Sequence, residues 1–153
     1  MRSMTPKPSA HVIALILALA PVAAWADDPI GQIKTETGVV TVERGGKAQA
    51  VAIGDHVFQS DTIVTAADGT VGITFADNSL MSLGPRSRLR LDQFQFNKTT
   101  HQGLFDTALE KGTLAVKSGQ IVRQTPGAMH VRTPAALLGV RGTEFVVRAG
   151  DGA

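Results

Sequence analysis

Along most of the chain, apolar and polar residues alternate with a period of two. Val40 and Val42 alternate with Thr41 and Glu43, and Leu89 and Leu91 with Arg88 and Arg90. Val71, Ile73 and Phe75 alternate with Gly72, Thr74 and Ala76. The pattern returns at Leu114 and Val116, at Met129 and Val131, and at Phe145 and Val147. Such alternation sends one face of an extended strand into a core and the other into water. The runs are short and are punctuated by turn residues, among them Gly45-Gly46, Gly54-Asp55, Asp68-Gly69, Asp77-Asn78 and Gly84-Pro85. Asp68-Gly69 is the strongest hairpin signal, because both residues tolerate a left-handed φ. Together these features predict an all-β domain of about ten short antiparallel strands, a sandwich or a partly closed β-roll, with a β-solenoid as the alternative. One stretch stays open: residues 97–103 read as a polar loop tip, and residues 104–110 fit either a strand or a turn or two of helix.

The N-terminus has a different character. Arg2 and Lys7 precede an apolar run from Val12 to Ala20, Pro21 ends it, and Ala24-Trp25-Ala26 places small residues where a signal peptidase reads them. The run is too short and too broken for a membrane span, which needs roughly 20 apolar residues. The layout predicts a signal peptide over residues 1–26, cleavage before Asp27, and a periplasmic or secreted chain with no membrane span left. Export changes the charge: loss of Arg2 and Lys7 brings the 15 basic residues level with the 13 acidic ones. A neutral balance argues against a nucleic-acid partner. Cysteine is absent, so neither a disulfide nor a lipid-modified cysteine is available. Tyr is absent and Trp25 lies in the leader, which leaves Phe to supply the aromatic packing.

The most distinctive block runs from His130 to Val147. Two β-type runs flank Thr133-Pro134 and the pair Gly139 and Gly142. Proline holds its predecessor extended and removes a backbone donor, and glycine permits φ > 0 or a close backbone approach. The block therefore predicts a tight bend, with Arg132 and Arg141 bonding carbonyls that the bend leaves unpaired. Gly142→Val is expected to damage such a bend.

This block also resembles the strongest motif of the FecR-type domain. The resemblance extends over residues 38–148 through pieces in order: Gly38 to Val42, Ala52 to Val57 with Gly54 and Asp55, Asp61 to Thr65, Val71 to Ser79 with Asp77, Ser87 to Leu91, and Leu109 to Leu114. The final piece holds Thr133, Pro134, Gly139, Arg141, Gly142 and Thr143. It implies an all-β periplasmic domain with no catalytic centre and no cofactor. The best-known members are membrane regulators that pass an iron-siderophore signal from an outer-membrane receptor to a sigma factor. With a signal peptide in place of an anti-sigma segment and a spanning helix, this chain is expected to be a stand-alone exported module for envelope signalling or assembly. Its expected layout is a leader over 1–26, a lead-in over 27–37, and the all-β domain over 38–153, truncated by comparison with family domains that continue into a further strand.

Candidate sites follow from these readings. Arg86, Arg88 and Arg90, spaced about 6.6 Å apart on one strand face, form a basic stripe that suits an anionic envelope polymer or pairs with neighbouring carboxylates. Glu144 to Arg148 is expected as an uncovered edge strand, with Glu144, Val146 and Arg148 binding an envelope protein or a second copy. A polymer-binding or hydrolase module is the alternative function. Against a hydrolase, Asp55 and His56 are adjacent and point to opposite faces of a strand, and no G-x-S-x-G elbow surrounds any serine. His56, His101 and His130 fit no metal-ligand spacing. Gly139-x-x-Gly142 lacks the third glycine and the following helix of a dinucleotide site.

Overall fold

In the computed structural model, which describes residues 27–150, each alternating run of the sequence is a strand with its apolar members turned to the core. The expected signal peptide lies outside the described residues. The strands are β1 (Gly31–Thr37), β2 (Val40–Arg44), β3 (Lys47–Ala50), β4 (His56–Val57), β5 (Thr62–Thr65), β6 (Thr70–Phe75), β7 (Leu80–Leu83), β8 (Arg88–Phe96), β9 (Gly103–Lys117), β10 (Met129–Arg132), β11 (Leu137–Val140) and β12 (Glu144–Ala149). One short helix, α1 (Gln120–Gln124), follows β9.

The strands form one sheet in the order β3-β2-β5-β8-β9-β7-β6-β1-β4. β10 and β12 join β9 directly, and β11 pairs with β10. The sheet curls strongly into a half-barrel, an all-β roll. The stacked parallel coils of a solenoid are not present, since β9–β10 is the single parallel pair among the described strands. Ile33, Ile63, Leu89, Leu91, Leu109, Leu114, Ile121 and Met129 are fully buried inside the curl. Phenylalanine supplies the aromatic packing: Phe105 meets Phe75 edge-on at 4.7 Å between ring centroids and Phe94 at 4.9 Å. Contacts of this geometry add about 0.5–1.5 kcal/mol each to the burial of the rings.

Several local expectations are corrected. Residues 104–110 are strand, because they begin β9. Residues 27–37 are more than a lead-in, since β1 pairs with β6 and β4 and Ile33 is fully buried. Asp68-Gly69 is a turn but not a hairpin: β5 and β6 do not pair, and the turn carries the chain from one half of the sheet to the other. Of these two turns the hairpin is the one at Asp77-Asn78, where Asn78 adopts a φ of 64° between the paired strands β6 and β7.

That hairpin also anchors α1. Asp77 and Ser79 are fully buried. One Asp77 carboxylate oxygen accepts the Ser79 N–H at 3.0 Å, and the other accepts the Ser79 hydroxyl at 2.7 Å and the Ile121 N–H at 3.4 Å. The Ser79 hydroxyl accepts the Gly119 N–H at 3.0 Å, and the Asp77 carbonyl accepts the Gln120 N–H at 2.8 Å. A buried carboxylate is tolerated only when its lone pairs are met, and here Ser79 meets them together with the Ile121 N–H of the helix. The helix in turn places Ile121 and Val122 in the core.

This geometry leaves no room at Gly119. A Cβ there would fall on the Asp77 carbonyl and the Ser79 amide, well inside van der Waals contact. Gly142, by contrast, has nothing within 4 Å of the position a Cβ would take, and its φ is not left-handed. Gly119→Ala should therefore lower stability by about 1–3 kcal/mol. Gly142→Ala should leave it within about 0.5 kcal/mol or raise it slightly. Denaturant melts of the two variants beside the parent check the contrast; equal destabilisation by both would contradict it.

Candidate interaction surface

The C-terminal block forms a hairpin, a crossing and a final strand. β10 and β11 pair in register from Met129↔Val140 to Arg132↔Leu137. Thr133-Pro134 makes the turn between them: the Thr133 N–H donates to the Ala136 carbonyl at 2.7 Å, and the Thr133 hydroxyl accepts the Ala136 N–H at 3.0 Å. Arg141, Gly142 and Thr143 then carry the chain from β10–β11 to the other half of the sheet. The carbonyls of this crossing are held by Ser118, whose hydroxyl donates to the Gly142 carbonyl at 2.8 Å and whose N–H donates to the Thr143 carbonyl at 2.8 Å.

Three expectations fail here for one physical reason. The crossing is open and its carbonyls are satisfied by a serine from β9's end. Gly139 and Gly142 consequently have neither a positive φ nor a crowded backbone, so a Gly142→Val variant has space that the sequence did not reveal. Arg132 turns instead toward Asp92, at 3.8 Å, and no hydrogen bond from Arg141 to a carbonyl is present among the described residues.

β12 pairs with β9 without a register shift, from Glu144↔Lys117 to Ala149↔Gly112. No other described strand pairs with it, so one edge is unpaired. Because the Thr143 carbonyl faces Ser118 on β9, antiparallel geometry turns the main-chain groups of Phe145, Val147 and Ala149 toward β9. Those of Glu144, Val146 and Arg148 point away, along the free edge. The side chains of these last three lie on the outer face, and Val146 is 64% exposed. Phe145 and Val147 turn to the core side. A shallow groove of about 440 Å³ runs beside the edge, lined by Leu80, Ser82, Ala115, Lys117, Glu144 and Val146. The sequence indicated the strand; it could not indicate Leu80 and Ala115, which the register Ser82↔Ala115↔Val146 brings alongside.

The arginine stripe is not three residues on one strand. Arg86 sits in the turn before β8 with a φ of 54°, its N–H bonded to the Ala66 carbonyl. Arg88 and Arg90 do project from β8, into carboxylates. Arg88 bonds both oxygens of Glu43, at 2.9 and 2.6 Å, and Glu110 at 2.7 Å. Arg90 bonds Asp92 and reaches Glu110 at 3.3 Å. The hydrogen bonds from Arg88 hold Glu43 below its ordinary carboxylate value against the opposing effect of desolvation, and the guanidinium charge adds to them. The reciprocal bonds raise Arg88, chiefly through Glu43, and Arg90, chiefly through Asp92.

Elsewhere, Gly54-Asp55 is a turn in which the Asp55 carboxylate accepts the Ala52 N–H at 2.9 Å. His130 Nδ1 lies 2.8 Å from Asp106, a contact across the parallel pair β9–β10 that the sequence spacing does not show. Among the described residues, no group of three His, Cys, Asp or Glu side chains is placed to hold a metal ion, and no helix is long and apolar enough to cross a membrane.

The fold is a curled all-β roll whose most distinctive sequence block builds a hairpin and a final strand paired on one side among the described strands. The model of the family described as FecR protein matches residues 61–153, more than half of the chain, and the chain belongs to that family. The match begins at Asp61, although β1 and β2, which precede it, pair with β6 and β5. No curated protein and no solved structure matches the chain.

The Glu43–Arg88 contact makes a pH prediction. Glu43 in the unfolded chain lacks Arg88 and titrates near its ordinary 4.5, whereas in the fold it titrates lower. The folded state therefore binds fewer protons, so this contribution is complete above pH 4.5 and is lost as pH falls through the folded value. Arg88→Gln should reduce stability at pH 7 and shrink the loss on acidification relative to the parent. Urea melts at pH 7 and at about pH 3 measure both, and an identical acid limb in the two proteins would refute the assignment.

Proposed function

We propose that this chain is a non-enzymatic interaction module of the bacterial cell envelope that takes an extended protein segment along the free edge of β12. FecR-family domains are periplasmic and act in envelope signalling. The observation that carries the reading is the edge itself: outward main-chain groups at Glu144, Val146 and Arg148 beside an exposed Val146 and an apolar groove. Strand addition to such an edge draws affinity from main-chain hydrogen bonds and specificity from alternate side chains. A non-catalytic role is supported by the family, whose domains are known for signalling and regulation. Binding of an anionic polymer by the arginines is the weaker reading. Arg88 and Arg90 already face Glu43, Glu110 and Asp92, which would have to be displaced.

Proline at position 146 tests the edge. The Val146 N–H points away from β9, so Val146→Pro removes a donor from the free edge and none from the fold. A photoreactive residue at Gly142, where there is open space, should yield a discrete adduct in intact cells. Val146→Pro in the same chain should abolish that adduct while the purified protein melts within a few degrees of the parent, the range of a 1 kcal/mol change. An undiminished adduct would overturn the reading.

A further inference from the structure

We infer that the strand which completes the β12 edge is β12 of a second copy, paired antiparallel about a two-fold axis at Val146. This rests on the reading of that edge as a binding edge and goes on to name its occupant. The argument is one of register. The residues whose main-chain groups point outward are Glu144, Val146 and Arg148, all of one parity. An antiparallel partner must oppose them with outward-pointing residues of its own, which excludes every register offset by a single residue. The registers that remain are all two-fold symmetric, and the one centred on Val146 sets it against Val146 of the other copy. The same register sets Glu144 against Arg148 and Arg148 against Glu144. One alignment thus satisfies the backbone, joins two exposed valines and pairs opposite charges at both ends. Shifting it by two residues in either direction leaves Val146 opposite a charge.

The surroundings fit this arrangement. The outer face next to the edge carries small residues where Gly72, Ser82 and Ala115 align in register with Val146. With the two-fold axis perpendicular to the sheet, the outer faces of both copies form one continuous surface. Glu144 lies 3.4 Å from Lys117 within its own chain, so in the dimer it stands between Lys117 and the other copy's arginine. Opposite charges directly across a strand pair favour pairing, and like charges there oppose it. A contact limited to one strand edge falls well short of the roughly 1,200 Å² of a permanent interface, so the association is reversible and concentration-dependent.

Sedimentation equilibrium of the purified protein, from roughly 10 μM to 1 mM, should show mass rising from monomer toward dimer. Glu144→Arg and Arg148→Glu each set like charges against one another at both ends, and each should weaken the dimer roughly tenfold or more. The double variant carrying both changes restores opposite charges and should recover self-association. An equimolar mixture of the two single variants should associate more strongly than either alone, a result that loss of the Lys117 contact does not produce. Single variants as associated as the parent, or a double variant as weak as the singles, would overturn the inference. A parent that stays monomeric while Val146→Pro still abolishes an adduct to a different envelope protein would sink the second copy and leave the edge reading standing. An adduct indifferent to Val146→Pro would remove both.

Discussion

The fold depends on one strand with neighbours on both sides. β9 runs for 15 residues; its first part lies between β8 and β10, its last part between β7 and β12. To serve both halves of the curl it must bend, and the bend lies at Gly112, with a φ of 94°. The space a Cβ would need there is filled by the Ser87 side chain, which is fully buried. The Ser87 hydroxyl accepts the Thr113 N–H at 3.0 Å, so the residue that crowds the bend also supports it. Any other residue at 112 meets both a disfavoured φ and that hydroxyl.

From that constraint the rest of the C-terminal architecture follows. β9 leaves its ladder at Ser118, whose N–H and hydroxyl catch the crossing before β12. Its next residue, Gly119, touches the Asp77 hairpin, which seats α1. The chain then returns along β10 and β11 and arrives at β12 with one side already committed to β9. β12 therefore takes the side of β9's last part that β7 leaves open, and among the described strands no other pairs with it.

Much of the core was legible in the sequence. Period-two alternation named the inward residues of β2, β6, β8, β10 and β12, because burial on one face of a pleated strand is a local rule that needs no knowledge of neighbours. Turn chemistry was legible as position and poorly legible as role. Asp68-Gly69 and Asp77-Asn78 are both turns, yet only the second joins paired strands, since which strands pair is decided elsewhere in the chain. The ambiguity at 104–110 was of the same kind: a short apolar run takes its conformation from the strands that flank it.

The candidate site divides along the same line. By itself the sequence determined that Glu144, Val146 and Arg148 share one face of a strand, because side-chain alternation is a property of the backbone alone. It also determined the family, through an ordered set of short motifs. Only the tertiary structure decided that the edge beside those residues is unpaired among the described strands, that Ala115 and Leu80 flank it, and that Arg88 and Arg90 are engaged by Glu43, Glu110 and Asp92. Those facts depend on register between segments distant in the chain, and register is fixed by the joint packing of all the inner faces, a quantity no single segment carries.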